Sequence, residues 1–417
     1  MAKPSFQKAA LFFYTLMSQI HYFNPGHETA VLLGKRNYTP PTNVRKMQKD
    51  LAILPIWYAN DGDYVFAHEH IDSEYLAHVP ETLRPHVKVV CEENFLRDTS
   101  SFPSLEATPW GLSPQSLYVF ERLAKKTKVN LSVRDWKDDY FRLTGRQTAA
   151  LCLAQIKSLL PNDLIPEPPS FYSDIESIER HIASQCPPYV LKTPYSSSGR
   201  GLAWIKDQQL DNQTKNWIIG AINKQGTISV EKGLEKTQDF AMEFFSDGKG
   251  NVCYEGLSVF NTEERGAYTG NILEDQRIML QRITKYVDHA LFNRIKDAVR
   301  DVLANVYGNI YAGCIGVDMI VYRTNDGYAI HPCIEINMRY TMGLVALRLF
   351  QKLVAPTSTG LYQVTFEKDA NEAFRKHQEM SEKYPLNLAD NKIKSGYLSL
   401  CPIDKETNYS AYILVKE

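Results

Sequence analysis

From residue 18 onward, short apolar runs alternate with amphipathic stretches. Residues 18–23 read as a strand that ends in the turn of HYFNP, and VRKMQKDLAIL (44–54) starts an amphipathic helix. IWYA (56–59) reads as a strand, DGD (61–63) as a turn, and YVFAH (64–68) and VKVVCEENF (87–95) as further strands. Helical periodicity returns at 115–126 and 147–160. Strands alternating with helices predict a small α/β unit with a mostly parallel sheet.

The pattern changes after LIPEPPSFY (164–172), where Pro166, Pro168 and Pro169 exclude a helix interior and mark a connector. Beyond it come a helix at 174–185, then YVLKTPYSSSGRGLAWI (189–205), GTISVEKGLEKTQDFAMEFF (226–245) and NVCYEGLSVF (251–260). A long helix at 291–307 precedes GCIGVDMIVYR (313–323) and YAIHPCIEINMRY (328–340). The turns SDGKGN and TNDGY between these apolar runs predict antiparallel hairpins. The last sixty or so residues read as a helix at 369–382 and a closing hairpin of GYLSLCPI with SAYILV. No repeat or low-complexity tract interrupts the chain.

Composition adds little to this picture but excludes some classes. With 44% apolar and 23% charged residues in 417, the chain is globular and long enough for two or three packed units. Lys and Arg total 47 against 48 Asp and Glu, so no basic stripe points to nucleic acid or to a membrane surface. Seven cysteines lie scattered in apolar surroundings without C-x-x-C spacing, which predicts reduced buried thiols and a cytoplasmic setting. The apolar run at 9–17 is too short to span a bilayer, and residues 1–17 are expected to be an extension, not a targeting signal.

Two segments carry chemistry. In the first, a strand delivers Lys192 to a turn formed by Ser196, Ser197, Ser198, Gly199, Arg200 and Gly201. Glycines allow close backbone approach, serines add donors, and Lys192 and Arg200 bring positive charge, which together suit phosphate. The Walker A pattern is absent, and the same composition also suits an ordinary hairpin turn. In the second, Glu335 and Asn337 lie two residues apart, on one face of a strand by its period of two, and Asp318 sits on the preceding strand. Three oxygen ligands with room for phosphate and water suit Mg²⁺ (or Mn²⁺). Arg339 would share that face and meet transferred phosphate. The alternative is a simple Glu335–Arg339 pair on a solvated strand.

Taken together, the Lys192 strand, the 196–201 loop and the later Asp318, Glu335, Asn337 and Arg339 resemble the ATP-grasp superfamily. EINMR looks like the E-x-N-x-R signature of its carboxylate–amine ligase, carboxylase and carbamoyl-phosphate branches. The resemblance implies a mixed α/β and α+β architecture of two α+β lobes behind a small parallel-sheet domain. It divides the chain into 18–144 (the preceding α/β domain), 145–350 (the ATP-grasp domain, smaller lobe about 170–230) and 351–417 (a C-terminal helix and hairpin packed on the core). It further implies that ATP binds with Lys192 at the α-phosphate, Glu231 and Lys232 at the hinge beside adenine, and Glu235 or Asp239 near the ribose. Arg146 would be a second basic residue, while Arg200 and Arg339 would neutralise charge during transfer. The implied reaction is activation of a small-molecule carboxylate as an acylphosphate by a monomer or homodimer. An ATP-grasp kinase and a non-catalytic ATP-binding module are the rival readings.

The chain departs from that pattern in reading N-M-R where N-P-R is usual, and in the 261–277 segment, read as a polar loop with Tyr268, Thr269, Asn271 and Arg277. FNPGHE (23–28) places His27 and Glu28 after a strand end, where α/β sheets present ligands, although helix capping explains it equally well. His68 and His70 lack the partners that a zinc site needs. PWG (109–111) lines a domain interface or caps a helix.

Overall fold

A computed structural model of the chain describes residues 17–71, 74–161, 165–196, 201–262 and 268–417. Ser197, Ser198, Gly199 and Arg200 of the glycine-rich turn therefore lie outside the described residues, as does nearly all of the N-terminal extension. The chain forms two compact units. One comprises residues 1–136, 269–278 and 339–417, and the other 137–268 and 279–338.

The first unit holds a five-stranded parallel sheet in which Ser18–Tyr22 is central. Tyr64–Phe66 and then Lys88–Val90 lie on one side of it, with Leu105–Pro109 and then Leu131–Ser132 on the other. Ile20 stands opposite both Tyr64 and Ala107, and buried Phe66, Phe95, Leu105 and Phe120 complete that core. The connectivity reverses between Ser18–Tyr22 and Leu105–Pro109, creating a topological switch point at the strands' carboxyl ends. A second core joins distant parts of the chain: Trp57 Nε1 donates to the Leu400 carbonyl at 2.7 Å, and Asp50 accepts from the Asn408 and Tyr409 amides. Thr359–Phe366, Tyr409–Lys416 and Lys392–Ser399 form the antiparallel layer there.

Three local expectations change. No strand forms at 56–59: Leu54–Trp57 is a 3-10 turn, because Pro55 lacks a ladder donor and the segment is buried on every side. The strand of VKVVCEENF stops at Val90, where Cys91 receives an Asn94 cap and the helix Glu92–Arg97 begins. Within the 261–277 segment, Tyr268–Leu273 is a strand, since pairing of Asn271 with Tyr362 buries a polar side chain that read as loop.

The second unit has two antiparallel sheets. The smaller runs Ser170–Tyr172, Ile228–Lys232, Tyr189–Lys192, Leu202–Ile205 and is packed by Ile178, Ile182 and Ile218 from the helices Ile175–Ser184 and Asn212–Gln225. The larger part contains Gly327–Asn337, Ala312–Thr324, Lys236–Asp247 and Val252–Thr262 as successive neighbours. Helices Arg146–Leu159 and His289–Val306 pack against it.

Candidate active site

Asp318 and Glu335 face each other directly across the paired strands Ala312–Thr324 and Gly327–Asn337, and Asn337 is opposite Gly316. Directly opposed residues share a face, so the three oxygen-bearing side chains converge. The Asn337 amide donates to an Asp318 oxygen at 3.1 Å, which orients that pair. Among the described residues no three His, Cys, Asp or Glu side chains come together, so the set is two carboxylates and one amide. Such a set fits Mg²⁺, a hard cation that keeps water and phosphate oxygens in its shell.

The adjacent strand adds a residue that sequence reasoning missed. Glu243 stands opposite Gly316, in one row with Asn337, and is only 1% exposed. Ser258 donates to it at 3.3 Å. Its signal was a lone carboxylate in the apolar run MEFF, since a charge buried in such a run needs partners.

A basic side chain of the same unit reaches one of these groups. Arg146 Nη2 lies 3.0 Å from Glu335 Oε1, and its Nε donates to the Thr193 carbonyl at 3.0 Å. It also donates to Ser196 Oγ at 3.3 Å, and its backbone N–H donates to the Pro194 carbonyl. Lys192, buried, is paired with Glu231, two strand residues past Ser229, and these line one cleft with Arg146, Cys333 and Ile334. His331 beside them is held down to about 3, first by burial and then by the Lys192 charge, so it is a neutral imidazole. Gly201 closes the turn with φ +75°, and a Cβ there would meet Thr193 Oγ1 at 2.3 Å. That crowding, with the left-handed backbone, is why a glycine ends the loop.

The remaining candidates are placed elsewhere in this unit. Lys232 is exposed and donates to the Pro187 carbonyl at 3.3 Å, Glu235 is 3.7 Å from Arg323, and Asp239 is paired with Lys236 at 2.6 Å. Thr262 also donates to Asp239.

Arg339 lies in the other unit. The strand ends at Asn337, so alternation does not carry on to Arg339, and the expected shared face is not formed. Its guanidinium instead pairs with Glu28 at 2.8 Å, while its backbone bridges Gly111. Burial would raise the Glu28 pKa, but the charges of His27 and Arg339 override it and hold the carboxyl far below its usual range. His27, 2% exposed, rests so close to Gly111 that a Cβ there would meet its ring at 2.4 Å. Asn24 clamps Gly111 from both sides, donating to its carbonyl and accepting from its amide. FNPGHE and PWG thus meet at the switch point of the parallel sheet. His68 accepts or donates at Tyr22 Oη, 2.8 Å away.

No family model matches the sequence, and no curated protein matches it. Solved structures do. Biotin carboxylase from Campylobacter jejuni, in complex with β-γ-ATP, aligns with TM-score 0.52 and 12% identity over 96% of this chain and 88% of its own. The chain has the ATP-grasp fold. The biotin carboxylase domain dimer of the Hydrogenobacter thermophilus 2-oxoglutarate carboxylase, bound to MgADP, ADP and bicarbonate, agrees at TM-score 0.51, 11% identity, 96% and 86% coverage. N5-carboxyaminoimidazole synthetase from Staphylococcus aureus with ADP aligns at 0.47 and 11% identity over 95% and 92%. In the ATP-grasp fold of this chain, the Lys192 strand and the Asp318–Glu335 strands belong to one compact unit.

Proposed function

We propose that the chain is an Mg²⁺-dependent ATP-grasp ligase that activates a small-molecule carboxylate for attack by an amine or a similar nucleophile. The observation that carries this reading is, in one unit of an ATP-grasp fold, Arg146 reaching Glu335 of the Asp318, Glu335 and Asn337 set while lining one cleft with Lys192.

Asp318, Glu335 and Asn337 would hold Mg²⁺, or Mn²⁺ in its place, and the cation would supply charge to offset what develops on transfer. Lys192 and Arg146 would take the phosphates, with Glu231 and Lys232 on the strand that meets adenine. Glu235 or Asp239 would reach the ribose. Arg200 would neutralise charge that develops during transfer. The substrate carboxylate would attack the γ-phosphorus of ATP with ADP as leaving group, and the nucleophile would then attack the acyl carbon of the acylphosphate and displace phosphate, with catalysis residing in positioning and electrostatics. The ATP-grasp portion is 145–350, the α/β portion before it 18–144. No described helix is long and apolar enough to cross a membrane. We place the protein in the cytoplasm, as a monomer or homodimer with no nucleic-acid partner.

Calorimetric titration of ATP with and without Mg²⁺, on wild type and on Glu335→Ala/Asn337→Ala, tests the nucleotide site. Metal-dependent binding that collapses in the double variant is expected. Folded wild type that binds no ATP would sink the reading. Phosphate release across a panel of carboxylates and amines then tests the ligase step. Transfer of phosphate to a stable product would make it a kinase.

A further inference from the structure

Arg146 is bonded to two things at once. Its Nη2 holds Glu335 at 3.0 Å, and its Nε and backbone N–H hold Thr193 and Pro194, where the glycine-rich turn begins. The Arg146 side chain is only 10% exposed and that of Glu335 26%, so neither charge is well solvated. Leaving either without a counter-charge is costly, which makes their mutual pairing the default and any replacement an exchange.

Both partners have a competing claim on them. Glu335 belongs to an oxygen set that suits a divalent cation, and a carboxylate held by a guanidinium is a poorer cation ligand because like charges repel. The Arg146 fork is shaped for phosphate, and a guanidinium held by a carboxylate is less available to an anion. The second basic group of the cleft is committed in the same way, since Lys192 is paired with Glu231.

We propose that Arg146 and Glu335 form an exchangeable ion pair that makes cation and nucleotide binding depend on each other. A phosphate group draws the guanidinium off Glu335 and frees the carboxylate for the cation. A cation on Glu335 frees the guanidinium for phosphate. Neither ligand alone is offered a complete site, so both bind well only together. Because linkage is reciprocal, each raises the affinity of the other by the same factor. This inference rests on the nucleotide-binding reading above and adds to it the residue pair that enforces joint binding.

The pair makes two predictions of opposite kind from those of ordinary site damage, since each variant gains affinity for one ligand. Arg146→Met should bind Mn²⁺ alone, followed by electron paramagnetic resonance, at least about 5-fold tighter than wild type. Glu335→Gln should bind metal-free ATP tighter than wild type by calorimetry, because its guanidinium is released. Arg146→Lys keeps the charge and should leave Mn²⁺ affinity as weak as in wild type, separating charge from packing. Circular dichroism checks that each variant folds, and if Arg146→Met does not, the Glu335→Gln arm decides alone. Folded variants without either gain overturn the proposal. If wild type still binds Mg·ATP, and Glu335→Ala/Asn337→Ala does not, only the exchange fails. If wild type binds no ATP, the nucleotide reading fails with it.

Discussion

Asp318 and Glu335 stand directly opposite each other on paired antiparallel strands, an arrangement of like charges that a sheet ordinarily avoids. Arg146 on one carboxylate and the Asn337 amide on the other offset the repulsion.

Asp318→Asn should therefore stabilise the fold while damaging the site. Removing one of two opposed charges is worth about 0.5–1 kcal/mol, and the Arg146–Glu335 pair survives. Thermal unfolding should shift upward, and Mg²⁺-dependent ATP affinity should fall at least about 10-fold, which is 1.4 kcal/mol. A downward shift in melting temperature would contradict the repulsion argument.

Gly201→Ala should be costly, because the added methyl group meets both a left-handed backbone and Thr193 Oγ1. A loss of about 1–3 kcal/mol in urea unfolding is expected. Gly220 offers the control. It sits within the helix Asn212–Gln225 with open space around its Cβ position, so Gly220→Ala should gain about 0.5–1 kcal/mol.

Lys192→Met leaves the Glu231 carboxylate, whose side chain is only 11% exposed, unpaired and should cost about 3 kcal/mol. Lys192→Met/Glu231→Gln removes the stranded charge, so most of that loss should return. ATP affinity should remain low in both. Stability and affinity that recover together in the double variant would contradict a phosphate role for Lys192.

The pH dependence of stability should report Glu28. Its carboxyl is held below the usual range in the folded protein, so the unfolded chain binds the proton more readily. The Glu28–Arg339 contribution is then fully present above the unfolded value of about 4.3, and is lost as pH falls below it toward the folded value. Urea unfolding of Glu28→Gln from about pH 7 down to about pH 3, which covers the upper part of this loss, should show a shallower slope than wild type. Equal slopes would mean that another acid dominates.

What was legible in the sequence was whatever depends on local spacing. Glu335 and Asn337 announce their common face by period two, and Lys192 lies on a strand whose antiparallel partner begins at Leu202, as the local apolar runs suggest. What was not legible depends on which distant residue arrives opposite. Glu243 joins the row of Asn337 only through the pairing of Lys236–Asp247 with Ala312–Thr324, and Arg146 finds Glu335 across nearly two hundred positions of chain. Arg339 misled for the opposite reason. Two residues past Asn337 it looked like a continuation of the strand, but the ladder had already ended, and its guanidinium answers to Glu28. The strand expected at 56–59 is a 3-10 turn at Leu54–Trp57 because apolar residues buried on all sides carry no period.

The bond from Trp57 to the Leu400 carbonyl joins residues 343 positions apart, and so sets a schedule for biosynthesis. When Trp57 leaves the ribosome, the surface that will cover it does not yet exist. At about 5–20 residues per second, it waits about 20–70 s for its partner. The second unit, drawn from the middle of the chain, is complete before then. Residues 51–57 thus spend translation as an uncovered apolar surface, which makes them the natural place for a chaperone to hold the nascent chain.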